Sequence, residues 1–149
     1  MPKTKPEILS PAGDMEKLKT AVHFGADAVY LGGRGFNLRA GAGNFDGAGM
    51  REAISYAHAR GVKVYVTANS FVFEDDLAGM REYLKDSAAA GADAFIISDP
   101  GVFCLAKETA PGTAVHVSTQ ANTTNSDAVK FWRGLGAERI ILARECSLA

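Results

Sequence analysis

A parallel α/β fold wound as a (β/α) barrel is the class this sequence predicts, and three observations predict it. A phrase recurs in which a glycine leads through a short polar link into an apolar run: Gly25-Ala-Asp-Ala-Val-Tyr-Leu31, Gly91-Ala-Asp-Ala-Phe-Ile-Ile97, Gly136-Ala-Glu-Arg-Ile-Ile-Leu142 and, more loosely, Gly61-Val-Lys-Val-Tyr-Val66. Each reads as a helix stop at a left-handed glycine followed by a buried parallel strand. Amphipathic stretches separate the runs, so strands and helices alternate without interruption. Finally, two of the strands are apolar on one face and polar on the other, which suits a barrel interior with a pocket at its mouth.

Taken in order, a first strand covers residues 7 to 10, and Asp14 caps a helix to about Phe24 that places Met15, Leu18 and Val22 on one stripe. The Gly25 phrase is the second strand. Residues 32 to 45 then form the longest irregular segment, with five glycines in fourteen residues; a loop of this length in a compact domain reads as a binding loop. Helices follow at about Asp46 to Arg60, with Met50, Ile54 and Ala57 inward, and at about Asp75 to Ala90, with Leu77, Met80, Leu84 and Ala88 inward. A shorter helix starts at Pro100, suited to a first turn, and ends by Pro111. After a strand from Ala114 to Ser118, the last helix runs from about Ser126 to Leu135 with Val129 and Trp132 inward, and the Gly136 phrase closes the count at six strands and five helices.

An open, doubly wound sheet is the competing arrangement. Its dinucleotide form calls for Gly-x-Gly-x-x-Gly, yet the position after Gly33 and Gly35 that should hold the third glycine is Leu38, and no Walker loop is present. In the third strand Val62, Val64 and Val66 share one face while Tyr65, Thr67 and Asn69 share the other; in the fifth, Val115 and Val117 oppose His116, Ser118 and Gln120. The reading is therefore a TIM-like barrel whose polar faces deepen toward the C-terminal ends of the strands. A whole barrel takes roughly 250 residues, so the 149 residues are expected to be the N-terminal portion of one, residues 1 to 149, with the later strands missing and open edges that invite a homo-oligomer.

Bulk composition narrows the function classes. Sixteen Lys and Arg against seventeen Asp and Glu give no evidence for a strongly basic nucleic-acid surface and none for a membrane surface, and leave room for a local basic patch. Two cysteines, Cys104 and Cys146, are too few for a disulfide framework or an all-cysteine metal site. With no apolar run of transmembrane length and no signal-peptide pattern, the expected location is cytoplasmic.

Candidate site residues gather at the predicted mouth. Arg34 and Arg39 suit a phosphate or carboxylate, and Asn37 and Asn44 add donors from the glycine-rich loop. Asn69, Gln120 and Asn122 are read as base-edge readers or as strand-end caps. Arg144 is a binding arginine and Glu145 a proton-handling carboxylate, with a structural ion pair as the alternative for both. His116 is either a general acid or base or a hydrogen-bonded core histidine, and Ser118 shares its face. His23 and His58 fall on solvent faces, and Cys104 on an apolar helix is read as core. No Gly-x-Ser-x-Gly elbow and no His-Glu-x-x-His motif occurs.

Several phrases together carry a resemblance. Glu7-Ile-Leu-Ser-Pro-Ala-Gly13, Gly25 to Gly33, Phe36-Asn-Leu-Arg39 with Asn44-Phe45, Arg60 to Val66, Ser118-Thr-Gln120 with Thr124-Asn125-Ser126, and Leu142-Ala-Arg-Glu145 resemble the peptidase U32 family, also called collagenase-like proteases. The resemblance implies a TIM-like barrel. It also implies one of two activities for the complete protein: oxygen-independent hydroxylation of a tRNA or rRNA base or of a similar ring such as ubiquinone, or proteolysis by a hydrolase. In hydroxylation-associated members an iron–sulfur cluster is bound by cysteines of the later half, so no cofactor is assigned to this chain. The expectation is an N-terminal part that is inactive alone. Its complete protein would take RNA or a small molecule as substrate, or a peptide on the protease reading; a non-catalytic RNA- or protein-binding barrel is the third reading.

Overall fold

A computed structural model describes residues 5–36 and 44–147. Six strands, β1 (Leu9–Pro11), β2 (Ala28–Gly32), β3 (Lys63–Ala68), β4 (Ala94–Ile97), β5 (Ala114–Val117) and β6 (Arg139–Ile140), form one sheet in sequential order, every neighbouring pair parallel. Five helices connect them: α1 (Met15–His23), α2 (Gly47–His58), α3 (Leu77–Ala89), α4 (Pro100–Thr109) and α5 (Ser126–Gly134). The result is a half-barrel, as the alternation of elements predicts.

Strand periodicity sorts the side chains into two clusters. Val29, Leu31, Val64, Val66, Phe95, Ile97, Val115 and Val117 are buried against helical residues that include Leu18, Ile54, Leu84 and Val102. On the concave face Ala28, Tyr65, Ala94 and Ile96 form a second cluster with Leu9, Tyr30 and Ile141 against it. Register stacks this face in layers, Tyr30–Tyr65–Ala94–Ala114 below Thr67–Ile96–His116–Arg139.

The recurring phrase has a common geometry. Gly25, Gly61, Gly91 and Gly136 all have positive φ, between 73° and 100°, and each follows a helix end. In two copies the following aspartate ties the turn to the neighbouring strand: Asp27 accepts from the Ile8 backbone N–H at 2.8 Å, and Asp93 from that of Val64 at 2.7 Å. These carboxylates therefore hold the parallel register at strand entry. Asp14, Asp46, Asp99 and Asn125 each cap a helix by accepting a backbone N–H from the first turn.

Three details differ from expectation. The segment at Glu74–Asp76 is a 3-10 turn that runs into α3. β6 is only two residues long and Leu142 is exposed, because an edge strand has hydrogen-bond partners on β5 alone. Cys104 is exposed, not core: the buried stripe of α4 runs through Val102, Phe103, Leu105 and Ala106, and Cys104 lies on the other side of that helix.

Candidate functional site at the barrel mouth

The C-terminal ends of the strands enclose a cavity of about 220 Å³. Leu9, Tyr30, Ile96 and Ile141 supply its apolar floor, while Thr67, Asn69, Ser118, Gln120, Asn44 and Arg144 supply polar groups. Its position follows from the strand pattern, since Thr67, next to the end of β3, and Ser118, one residue past β5, continue the concave faces of those strands.

A hydroxyl–amide cluster organises one wall. Ser118 is 2% exposed, its backbone N–H donates to the Ile97 carbonyl at 2.8 Å, and its side chain caps the 3-10 turn Thr119–Ala121. The Ser118 hydroxyl donates to Gln120 Oε1, and Asn69 Nδ2 donates to the same oxygen at 3.4 Å. Ser98 Oγ donates to the Asn69 carbonyl at 3.3 Å, which fixes the strand end that carries this side chain. Asn69 Oδ1 and Ser70 Oγ are enclosed without a hydrogen-bond partner.

Tyr83 of α3 secures the opposite wall. Its hydroxyl accepts from the Gly33 N–H at 2.9 Å and donates to the Thr67 carbonyl at 3.0 Å, linking the ends of β2 and β3. Burial pushes its phenol up to about 12, so it remains a neutral donor. The Gly33–Phe45 bridge and the Phe45 N–H donation to Gly32 clamp the two ends of the glycine-rich loop together. The sequence reading did not single out Tyr83; the signal was a tyrosine bordering the Met80–Leu84 stripe, whose hydroxyl needs a partner if the ring is buried.

His116 sits elsewhere. Alternation correctly assigns it to the concave face, but its ring leans to the opposite pole, against Tyr65 at 4.6 Å in an edge-to-face contact. There it lines a second cavity of about 380 Å³ with Lys63, Tyr65, Glu138 and Arg139. Alternation fixes a face and not a height along the barrel axis, so the expected meeting of His116 with Ser118 at the mouth is corrected. The imidazole is 2% exposed, its Nδ1 has no partner, and burial, with the Arg139 charge beside it, pushes it down to about 4. It is therefore neutral at neutral pH. Across the same pole Arg139 donates to Glu7 at 2.6 Å and the Tyr65 hydroxyl donates to both Glu7 oxygens at 3.0 Å, joining the segments at β1 and β6. The Arg139 bond holds the Glu7 carboxyl below its ordinary value.

The remaining candidates divide. Asn44, with φ of 40°, lines the mouth, as do Asn69, Ser118, Gln120 and Arg144, the last exposed. Arg34 is exposed and lines a surface depression with Phe45 and Asp46 outside the mouth. Asn122 does not line the cavity; it is exposed with φ of 51° and ends the 3-10 turn, a left-handed position that asparagine tolerates. Glu145 is also exposed and away from the cavity lining, since the chain turns there, with the Cys146 N–H donating to the Ala143 carbonyl. Asn37 and Arg39 lie outside the described residues. His23 and His58 are exposed as expected, and His58 pairs with Asp93 at 2.8 Å. Among the described residues no three His, Cys, Asp or Glu side chains gather where they could hold a metal ion, so these residues do not fit an iron–sulfur cluster. None of the described helices is long and apolar enough to cross a membrane.

Together these features define a parallel (β/α) half-barrel with a hydroxyl- and amide-lined mouth at the C-terminal pole. The chain belongs to peptidase family U32, which it matches over residues 13–149. It is 43% identical over 143 residues to tRNA hydroxylation protein P1 of Bacillus subtilis (strain 168), covering 96% of this chain and 34% of that protein. Against Collagenase of Porphyromonas gingivalis (strain ATCC BAA-308 / W83) the identity is 36%, covering 95% of this chain and 34% of the other. Among solved structures the U32 peptidase Mk0906 superposes with a TM-score of 0.72 at 16% identity, over 95% of this chain and 62% of that one, which speaks to the fold. The chain thus spans about a third of the length of these curated relatives.

Proposed function

We propose that this chain forms the substrate-binding part of a protein that supports oxygen-independent hydroxylation of an RNA base. The observation that carries this reading is the mouth itself: an apolar floor under an amide and hydroxyl wall suits a flat heterocycle that must be bound and oriented. The similarity to tRNA hydroxylation protein P1 supports it. Arg144 at the rim is assigned to the backbone phosphate of the substrate. Redox chemistry belongs to residues beyond this chain, with an iron–sulfur cluster as the proposed centre, and the setting proposed is cytoplasmic.

Proteolysis is the second reading, favoured by the similarity to Collagenase. The geometry supports it less well, because the Ser118 hydroxyl is committed to Gln120 while His116 lies at the other pole with Nδ1 unpaired. Deleting the complete gene and measuring modified nucleosides in total RNA by mass spectrometry is expected to remove a hydroxylated pyrimidine. Unchanged nucleosides, together with collagen cleavage that disappears in His116→Ala, would replace this reading by the peptidase. A second copy pairing along the short β6 edge is also proposed; sedimentation is expected to show self-association, and a monomer at high concentration would remove that part.

A further inference from the structure

The link from β3 to α3 leaves the wall of the mouth at Asn69 and holds two aromatic rings out in solvent. Phe71 is 84% exposed and Phe73 74%, while Val72 between them packs against the main core. The segment is fixed at both ends: the Asn69 carbonyl accepts from Ser98 Oγ at 3.3 Å, and the Phe73 N–H donates to the Asp76 carboxylate at 2.9 Å. A held backbone therefore displays the rings. Exposed, packed and exposed side chains alternate, and Phe73 is extended at φ −100° and ψ 171°, so both rings stand on the solvent side, about 7 Å apart along the chain. That spacing admits one base between them, at a stacking distance of about 3.4 Å from each ring.

Asn69, Ser70, Glu74 and Asp75 flank the rings, so the pair forms two separate flat faces in a polar setting and not the contiguous apolar patch of a protein interface. A base held in the mouth is out of its stack, and the nucleotides beside it cross the rim. We infer that Phe71 and Phe73 form a stacking platform at the rim, which takes an unpaired nucleotide of the RNA strand flanking the bound base. This assignment rests on the RNA reading above, and it adds where the strand is held outside the cavity and that it is single-stranded there. Glu74 and Asp75 begin the turn into α3, where acids suit the positive end of a helix, and they attract no phosphate. Contact at this rim is made through ring faces, with the phosphate left to Arg144.

The test is fluorescence anisotropy with the protein expressed from its complete gene and three probes: a short labelled RNA of mixed sequence, the same strand annealed to its complement, and an abasic ribose-phosphate strand of equal length. The wild type is expected to bind the single strand more tightly than the duplex. Phe71→Ala/Phe73→Ala should weaken binding of the base-bearing strand about tenfold or more and leave the abasic strand unchanged. The loss should be the same at low and high salt, since a stacking contact releases no counterions. Both residues are exposed, so the thermal midpoint of this variant should match the wild type. Phe71→Tyr/Phe73→Tyr should restore affinity, whereas Phe71→Leu/Phe73→Leu, which keeps bulk without a flat face, should not. Unchanged affinity in the alanine variant, an equal loss on the abasic strand, a loss that varies with salt, or recovery with leucine would overturn the assignment. Nucleoside mass spectrometry separates the two layers. If gene deletion abolishes a hydroxylated pyrimidine but the alanine variant retains both the modification and the affinity, the stacking platform alone falls. If deletion changes no nucleoside while single-strand binding still depends on the two rings, the platform stands and the hydroxylation reading falls.

Discussion

Gly33→Ala is expected to lower the thermal midpoint by roughly 10 °C, corresponding to about 3 kcal/mol in a domain of this size. A Cβ built at Gly33 falls 2.5 Å from Tyr83 Cε2, a separation that the two atoms cannot share. Relief requires the Tyr83 ring to move, and the ring is held by its contact with Phe36 at 5.6 Å and by the hydrogen bonds to Gly33 and Thr67. Moving it strands the Thr67 carbonyl and the Gly33 N–H together, and each loss costs about 1–3 kcal/mol when no water replaces it. The double variant Gly33→Ala/Tyr83→Ala removes the clash, so its loss should be smaller than the sum of the two single losses. Additive losses in a double-mutant cycle would show that the two residues are not coupled. Because Tyr83 sets the position of Thr67 and of the glycine-rich loop, Gly33→Ala should also loosen the mouth wall, read as faster amide exchange at Gly32, Gly33 and Thr67.

Acid should destabilise the protein through His116. Its folded-state value of about 4 lies below the ordinary 6.5, so the unfolded chain binds the proton first and unfolding takes up protons between those limits. Stability contributed by the neutral imidazole is therefore complete above about pH 6.5, is lost as pH falls, and levels off below about pH 4, for a total of roughly 3 kcal/mol. The groups around the ring set this sign: burial and the cations Arg139 and Lys63 lower its value, outweighing the acids Glu138 and Glu7 that raise it. Urea unfolding from about pH 7 to about pH 4.5 measures the slope, and His116→Phe, which keeps a ring against Tyr65, should flatten it. An equally steep acid limb in that variant would assign the titration to other groups, with Glu7 the first to examine.

Much of the fold was legible in the residues. The recurring glycine-led phrases marked four helix ends, and glycine at those positions permits the left-handed φ the structure shows. Alternation in β3 and β5 gave the correct faces because a strand has a period of two whatever surrounds it. Helix interiors followed the 3.6-residue stripes, except at Cys104, where an unbroken apolar run concealed which side turned outward. Part of the site was legible for the same local reasons: Asn69, Ser118, Gln120 and Arg144 stand at or just beyond strand ends and do line the mouth.

What the sequence determined by itself, then, was the order of elements, the parallel (β/α) winding and the concave placement of the polar residues, because each depends on local geometry and a short-range period. Tertiary structure alone decided which of those residues meet. It sent the His116 ring toward Tyr65 and Arg139 at one pole, drew Tyr83 from a helix into the gap beside Gly33, and turned the Gln120 amide so that Asn69 and Ser118 share its oxygen. Apart from the Ser118–Gln120 bond, those outcomes depend on contacts between residues far apart in the chain, 50 positions for Gly33 and Tyr83 and 51 for Asn69 and Gln120, where side-chain direction and the filling of space outweigh any local pattern.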